Sequence, residues 1–163
     1  MRRIAVAIVL LLASRQGDPF CGDAAKNEGT YEGVRIQFCG ISRARTWVLP
    51  GPGTEMGTPD GQEYALVNLA VTWSDAPEEQ KRQRNALRGA QLWKLIDASG
   101  KEYRTPVFGT GVPLSYFAVD TKKDGGSNEQ VAIPFVVPKD AKLKSFELGI
   151  LSFPVVSASG NRK

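Results

Sequence analysis

The segment from Glu63 to Trp73 limits the possible folds of this chain more than any other part of the sequence. Apolar side chains occupy every second position in it, at Ala65, Val67, Leu69, Val71 and Trp73. Side chains two residues apart lie on the same face of a β-strand, so these five share one face. Tyr64, Asn68 and Thr72 lie on the other face. The pattern predicts a long strand with one face in a hydrophobic core.

The same two-residue period recurs in residues 34–39, 129–137 and 144–151, and residues 90–97 form a further strand-like run before a turn. The apolar faces consist of Val34, Ile36 and Phe38, then Val131, Ile133, Phe135 and Val137, then Phe146, Leu148 and Ile150. Seventeen glycines and ten prolines among 163 residues favour frequent turns. We therefore predict an all-β fold, an antiparallel β-sandwich of about seven strands.

Three places depart from this pattern. Residues 50–61 contain four glycines and three prolines and predict a loop. Pro134 interrupts an apolar strand, and because proline donates no ladder hydrogen bond it predicts an edge strand or a bulge. Residues 76–89 begin like a helix at Pro77, but within this helix only Ala86 and Leu87 are apolar, so it has almost no face to bury. We expect a solvated loop or a short, frayed helix there.

The first seventeen residues have the form of a secretory signal. Met1-Arg2-Arg3 precedes ten apolar residues, 4–13, which is within the length of a signal core and about half of what a transmembrane helix needs. We predict a signal segment at 1–17, a folded body at 18–153 and a flexible tail at 154–163. The expected location is secreted or in the cell envelope, with membrane attachment if the signal is not cleaved. The alternative is that residues 4–13 form a buried strand.

Cys21 and Cys39 are the two cysteines of the chain. In an oxidising compartment an even pair in a small domain is usually bonded, so we predict a disulfide between them. The alternation in 34–39 directs Cys39 away from the apolar face, toward a surface that the Cys21 segment can cover. Two free, buried thiols are the alternative. The spacing is not that of a redox motif, and two cysteines cannot complete a zinc site.

Histidine is absent from the sequence, which excludes Ser-His-Asp and Cys-His catalysis and histidine metal sites. Phosphate-binding glycine loops and serine hydrolase motifs are also absent. The acidic residues between Asp120 and Asn128 have lysines among them, which favours a turn over a calcium site. Glu78 and Glu79 lie among basic residues and do not suit a catalytic pair. We expect no enzyme activity, no metal and no cofactor.

The net charge of +4 comes from 21 basic and 17 acidic residues. Three of the basic residues are in the signal segment, so the folded body is close to neutral and nucleic acid is not an expected partner. The local basic cluster is Lys81, Arg82, Arg84 and Arg88. It is a candidate patch for an anionic envelope component or an unknown protein, and a merely solubilising loop is the alternative. Trp47, Tyr116 and Phe117 are weaker candidates for a binding surface, since such residues usually pack under loops.

Two stretches resemble a known family. One is Trp93-Lys-Leu95-Ile-Asp97-Ala-Ser-Gly100-Lys-Glu-Tyr103, and the other runs from Val131 through Phe135 to Pro138-Lys-Asp-Ala141. Thr72-Trp73-Ser74-Asp75 also fits the pattern. The chain resembles, over about residues 30–153, the telokin-like, immunoglobulin-like domains of unknown function in exported bacterial proteins, the family of the mycobacterial immunoprotective extracellular antigen. The charged 76–89 segment and the missing lipoprotein cysteine box depart from it.

The resemblance implies an exported immunoglobulin-like β-sandwich and supplies no catalytic residues. Together with the signal segment and the cysteine pair, it predicts a non-enzymatic binding or interaction module at the cell envelope or outside the cell. A purely structural or accessory domain is the first alternative. A small ligand carrier or hydrolase is the second, and it requires a concave pocket with convergent polar groups.

Overall fold

The computed structural model describes residues 21, 27–48, 55–87, 92–104 and 128–155. These residues form ten strands and one helix. The strands are β1 (Glu28–Tyr31), β2 (Val34–Ala44), β3 (Thr46–Val48), β4 (Glu55–Gly57), β5 (Gln62–Thr72), β6 (Trp93–Asp97), β7 (Glu102–Arg104), β8 (Asn128–Pro138), β9 (Leu143–Leu148) and β10 (Leu151–Pro154), and the helix is α1 (Pro77–Ala86). Within the described ranges no helix is long and apolar enough to span a membrane.

Eight of the described strands form two four-stranded antiparallel sheets. One has the order β1-β2-β5-β8 and the other the order β10-β9-β6-β7, and a small β3-β4 hairpin is separate from both. The prediction of an all-β sandwich is confirmed, with more strands than the seven predicted. Apart from the short β3-β4 hairpin, β5 is the next strand after β2, and the two lie side by side in one sheet. In an immunoglobulin constant domain the second and third strands lie in opposite sheets. The immunoglobulin-like subclass stays a prediction.

A hydrophobic core fills the space between the two sheets. The alternating residues of β5 supply one side of it, and Ala65, Val67 and Leu69 are fully buried. Phe146 of β9 lies at the centre, with ring centroids 6.0 Å from Phe38 and 6.3 Å from Phe135. The strand faces predicted from the two-residue period are therefore the faces that pack against each other, with one exception described below.

Pro134 lies in β8, which is an edge strand among the described strands, as predicted. It pairs with Leu66 in a continuous register from Gln62–Pro138 to Thr72–Asn128. Both Ala132 and Pro134 are buried although they lie on the outer face of this sheet. The alternating sequence pattern alone predicts that the outer face of this strand is solvated. The burial of these two residues therefore differs from that expectation.

The prediction of a loop at 50–61 is wrong for residues 55–57, which form β4. This strand pairs with β3, so that Trp47 faces Met56. The hairpin packs on the outer face of β5, where the rings of Trp47 and Tyr64 are 6.4 Å apart and the Tyr64 hydroxyl donates to the Gly57 carbonyl at 3.4 Å. Tyr64 is buried as a result. Residues 49–54 lie outside the described part of the chain.

Residues 77–86 form a ten-residue α-helix, so of the two alternatives the loop is wrong and a short helix is present. The helix begins at Pro77 and has Glu78 and Glu79 in its first turn, where their charge suits the positive end of the helix dipole. Although it has hardly any apolar face, Gln83 and Leu87 are each only 2% exposed. The few apolar residues of this helix cannot hold it against the sheets. Polar contacts with the sheets, described below, stabilise it instead.

Ile150 is 89% exposed, so its predicted place on the apolar face of a strand is wrong. The pairing of Leu148 with Leu151 leaves Gly149 and Ile150 as a two-residue hairpin turn. Gly149 has φ of +56°, which suits the first central position of a type II′ turn and requires glycine. The turn reverses the chain one residue before the alternation would bring Ile150 into the core.

Several predictions concern residues outside the described ranges. They are the signal segment 1–17, the aromatic pair Tyr116 and Phe117, the acidic stretch 120–127, Arg88 of the basic cluster and the tail beyond Val155. At the start of the predicted tail, Pro154 ends β10 and the Val155 amide donates to the Lys144 carbonyl at 2.8 Å.

Candidate functional site

The disulfide between Cys21 and Cys39 is present, as the sequence predicts. Cys39 lies where the β2–β5 register shifts, between Phe38 and Ile41, and the neighbouring Gly40 has φ of +102°. This bulge gives the strand a local bend at the point where Cys21 joins it. Phe38 faces the core, so the adjacent Cys39 lies on the outer face of its sheet.

Helix α1 carries the basic cluster, and its Arg82 has acidic partners. The guanidinium contacts Glu79 at 2.6 Å and Glu32 of the β1–β2 turn at 3.4 Å, and it donates to the Glu32 carbonyl at 3.3 Å. The hydrogen bond from Arg82 lowers the pKa of Glu79 and is the main reason that the pKa of Arg82 is raised. Arg82 therefore joins the helix to the β1–β2 turn.

Arg84 joins helix α1 to a different part of the sandwich from the one that Arg82 contacts. It forms an ion pair with Glu129 of β8 at 3.0 Å, and its guanidinium carbon lies 4.4 Å from the centre of the Trp73 ring. Trp73 donates its Nε1 hydrogen to the same Glu129 carboxylate at 2.7 Å. Glu129 is 8% exposed, so this buried carboxylate has both a cation and a hydrogen-bond donor beside it.

Gln83, between the two arginines, completes the contacts of the helix. Its Oε1 accepts from the Ser74 amide at 2.8 Å, and its Nε2 donates to the Gly33 carbonyl at 3.1 Å. Two of the four predicted patch residues, Arg82 and Arg84, are thus partnered within the protein, and Lys81 is exposed. The structure brings three of the four onto one helix, with carboxylates among them.

A cleft of about 300 Å³ lies at the opposite end of the sandwich, where the β6–β7 and β8–β9 turns meet. It is lined by Asp97, Ala98, Ser99, Tyr103, Pro138, Asp140, Ala141 and Lys142. In the sequence, Asp97 is recognisable only as the end of a strand-like run that precedes a turn. The two turns are joined directly, because the Ala98 amide donates to the Lys142 carbonyl at 2.7 Å.

Asp97 organises the β6–β7 turn. One carboxylate oxygen accepts from the Ser99 hydroxyl at 2.6 Å, the Ser99 amide at 2.9 Å and the Lys101 amide at 3.0 Å, and the other accepts from the Tyr103 hydroxyl at 2.8 Å. These bonds, the Ser99 hydroxyl first, lower the pKa of Asp97 to about 2. Burial, and then the bond to Asp97, raises the pKa of Tyr103 to about 12.

These two shifts decide what the pair can do chemically. At neutral pH Asp97 is ionised with its oxygens occupied, and Tyr103 is protonated and donates to it. Neither group has a pKa near neutral pH, which proton transfer in catalysis favours. The pair stabilises the turn that forms one wall of the cleft. Among the described residues, no three cysteine, aspartate or glutamate side chains are placed to hold a metal ion.

Four exposed lysines lie on the turns that form the cleft or directly after them: Lys101, Lys139, Lys142 and Lys144. Lys142 is one of the residues that line it. These lysines are not recognisable as a group from the sequence, because Lys101 is far along the chain from the other three. The spacing of Lys139, Lys142 and Lys144 across a predicted turn was the available signal. Only strand pairing, which joins Asp97 to Leu143, brings the fourth lysine beside them.

Comparison with known proteins identifies no relative: no family model, no curated protein and no solved structure matches the chain.

Proposed function

We propose that the chain is an exported, disulfide-bonded β-sandwich that serves as a non-enzymatic binding module in the cell envelope or outside the cell. The Cys21–Cys39 disulfide is the observation that carries the proposal. Structural disulfides persist in oxidising compartments and are rare in the cytoplasm of most cells. The signal-like residues 1–17 support the same location independently.

Binding, rather than catalysis, is the activity that the described side chains favour. The pKa values of Asp97 and Tyr103 are both strongly shifted, and these two groups bond to each other and to their own turn. Turns at the ends of a rigid sandwich are common places for ligand contacts, because loops tolerate variation and the sheets fix their position. The cleft between the β6–β7 and β8–β9 turns is the binding surface that we propose.

A structural or accessory role is the second candidate, and one observation favours it. The arginines of the basic cluster contact Glu79, Glu32 and Glu129 of the same chain. Helix α1 accordingly serves to stabilise the sandwich rather than to bind an anion.

Sedimentation with isolated cell envelopes tests the proposal. The disulfide-bonded protein is recovered from its own host, labelled, and mixed with envelopes washed free of it. We expect saturable binding that an excess of unlabelled protein displaces. The control is the Lys81→Gln variant, which alters the helix surface and leaves the cleft intact, and its binding should equal that of the wild type. An absence of saturable binding, or binding lost in the control alone, contradicts the proposed surface.

A further inference from the structure

The cations that lack an acidic partner are concentrated at one end of the molecule. Among the described residues, the side chains of six Lys and Arg residues form no ion pair with a carboxylate. Five of them lie at the end that carries the cleft, and the sixth is Lys81 on helix α1. The five are Arg45, Lys101, Lys139, Lys142 and Lys144. We call this the lysine end, formed by residues 43–45, 58–63, 97–101 and 138–144.

Strand topology brings these residues together from four separate parts of the chain. β2 and β8 end here, as does β6, while β5, β7 and β9 begin here. The Lys139 amide donates to the Gly61 carbonyl at 3.1 Å, and Arg43 donates to the Ala141 carbonyl at 2.6 Å. The Ala98 amide also donates to the Lys142 carbonyl at 2.7 Å, which joins the β6–β7 turn of Lys101 to the β8–β9 turn of Lys139 and Lys142. The backbone of these two turns therefore has a fixed arrangement.

The two ends of the sandwich differ in charge. The lysine end has six bases, the five above and Arg43, against the four acids Asp60, Glu63, Asp97 and Asp140, which leaves +2. At the helix end the acids are Glu32, Asp75, Glu78, Glu79 and Glu129 and the bases are Lys81, Arg82 and Arg84, which leaves −2 among the described residues. A fixed difference of this kind orients the molecule toward a charged partner.

Two of the four acidic residues of the lysine end already have partners within the protein. Arg43 pairs with Glu63, and four hydrogen bonds hold Asp97. Asp60 and Asp140 are the exposed acids that remain. A negative partner therefore meets more available cations than available carboxylates on this surface.

The type of cation indicates the type of anion. Lysine ammonium groups are compact point charges on flexible stems, without the two-pronged geometry that arginine uses to grip one defined carboxylate or phosphate. Spread over the β6–β7 turn, the β8–β9 turn and the start of β9, they suit a chain of repeated negative charges, because binding releases the counterions condensed on such a chain. A membrane surface is less suited, because the exposed Ile150 lies at the opposite end. Nucleobases are less suited too, because no described aromatic side chain is exposed for stacking.

We infer that the lysine end binds a linear phosphate-bearing polymer of the cell envelope, contacted by Lys101, Lys139, Lys142 and Lys144. The inference rests on the proposed binding function and names its ligand class. Lys101 is held beside Lys142 because Asp97 fixes the turn that bears Lys101, and the Ala98 amide bonds to Lys142. The contacts are electrostatic, so affinity depends on the length of the polymer and on salt.

The test measures binding of fluorescently labelled inorganic polyphosphate to the full disulfide-bonded protein over a range of salt concentrations. The wild type should bind, with affinity that falls steeply with salt, and orthophosphate should compete poorly. Substitution of the four lysines by glutamine should weaken binding by about tenfold or more and flatten the salt dependence. The control removes the same charge elsewhere, as Arg35→Gln, Lys81→Gln, Lys94→Gln and Arg104→Gln together, and should bind within about threefold of the wild type.

The other possible results of this test contradict different parts of the inference. Equal weakening in both fourfold variants shows an effect of net charge and contradicts the lysine end as a site. Polyglutamate binding as tight as polyphosphate overturns the phosphate assignment, and so does preferential binding to vesicles of anionic phospholipid. Near-ultraviolet circular dichroism of each variant shows whether it has folded, and single substitutions replace any fourfold variant that has not. If envelopes bind the protein but the lysine variant binds them as well as the wild type, this inference fails and the proposed function stands.

Discussion

Trp73 and Glu129 form a buried hydrogen bond of 2.7 Å between the indole nitrogen and the carboxylate, and this bond places the negative charge under helix α1. Arg84 reaches the same carboxylate at 3.0 Å while its guanidinium stacks over the Trp73 ring. The helix has little apolar surface, so a carboxylate fixed by the core supplies the attraction that apolar burial does not. The arrangement explains why this strongly charged segment forms a helix and packs against the sandwich.

Removal of the Arg84 cation should destabilise the protein. In Arg84→Gln, Glu129 remains 8% exposed with Trp73 as its donor and without its ion-pair partner. Because the Arg84 side chain is itself 32% exposed, we expect a loss of about 1–2 kcal/mol in the free energy of unfolding, less than for a fully buried pair. Urea denaturation measures it, and Lys81→Gln on the exposed face of the same helix should change stability by less than about 0.5 kcal/mol. Equal effects of the two substitutions would show that the Glu129 contact does not stabilise the helix.

Gly149→Ala should disturb the β9–β10 turn. A β-carbon there lies 2.5 Å from the Tyr31 ring, and φ is +56°. We expect a loss of about 1–3 kcal/mol from the steric contact and the backbone conformation together. Gly57→Ala is the matched control, since no atom lies within 4 Å of its added carbon. Adding Tyr31→Ala should leave a smaller difference between glycine and alanine at 149; a difference that stays the same would contradict the contact.

The Asp97–Tyr103 pair should make stability depend on pH at both extremes. The pKa of Asp97 falls from its usual 3.8 to about 2, so its contribution is present above pH 3.8 and is lost as pH falls through 2. The pKa of Tyr103 rises from 10.0 to about 12, so its contribution is present below pH 10 and is lost as pH rises through 12. Urea unfolding at a series of pH values measures both changes.

Two variants separate the members of this pair. Asp97→Asn should flatten the acid side of the profile between pH 4 and pH 2, and Tyr103→Phe should flatten the alkaline side. Asp60→Asn, in a neighbouring turn, is the control and should keep the wild-type shape. An acid profile that Asp97→Asn leaves unchanged contradicts the hydrogen-bond arrangement described for the turn.

Loss of the disulfide should lower stability without changing the sandwich. The bond closes a sequence separation of 18 residues, for which chain entropy predicts about 3 kcal/mol. The Cys21→Ser, Cys39→Ser double variant and the reduced wild type should therefore unfold at the same, lower urea concentration. Hydrogen exchange should accelerate most at the Phe38 amide, which donates to the Asn27 carbonyl at 2.8 Å beside the bond. Unchanged stability in both would mean that the disulfide does not restrict the chain.

Strand faces were predictable from this sequence because a two-residue period is a local property. The β5 positions from Ala65 to Val71 are buried as the alternation predicts, and the side of the sheet on which Cys39 lies followed from the same rule. Ile150 failed because the position of a two-residue turn depends on which strands pair, here Leu148 with Leu151.

The basic cluster on helix α1 and the lysine end show the same dependence on strand pairing. Arg84 looked available because its partner Glu129 is distant in the sequence, and so is Glu32, which pairs with Arg82 in addition to the neighbouring Glu79. Lys101 looked isolated because its neighbours Lys142 and Lys144 belong to another hairpin. Long-range pairing decides which charges are neutralised and which are free, and a single sequence contains no direct record of it. Local sequence clusters therefore identified the helix but not the lysine end.

The location and redox state of the protein in its own host test the central claim most directly. Cells are separated into cytoplasmic, envelope and external fractions, free thiols are blocked at once, and the intact mass of the protein in each fraction is measured. The account predicts protein in the envelope or external fraction, two hydrogens lighter than the reduced chain and unmodified by the blocking reagent, since Cys21 and Cys39 are bonded. Protein confined to the cytoplasm with both thiols blocked would contradict it.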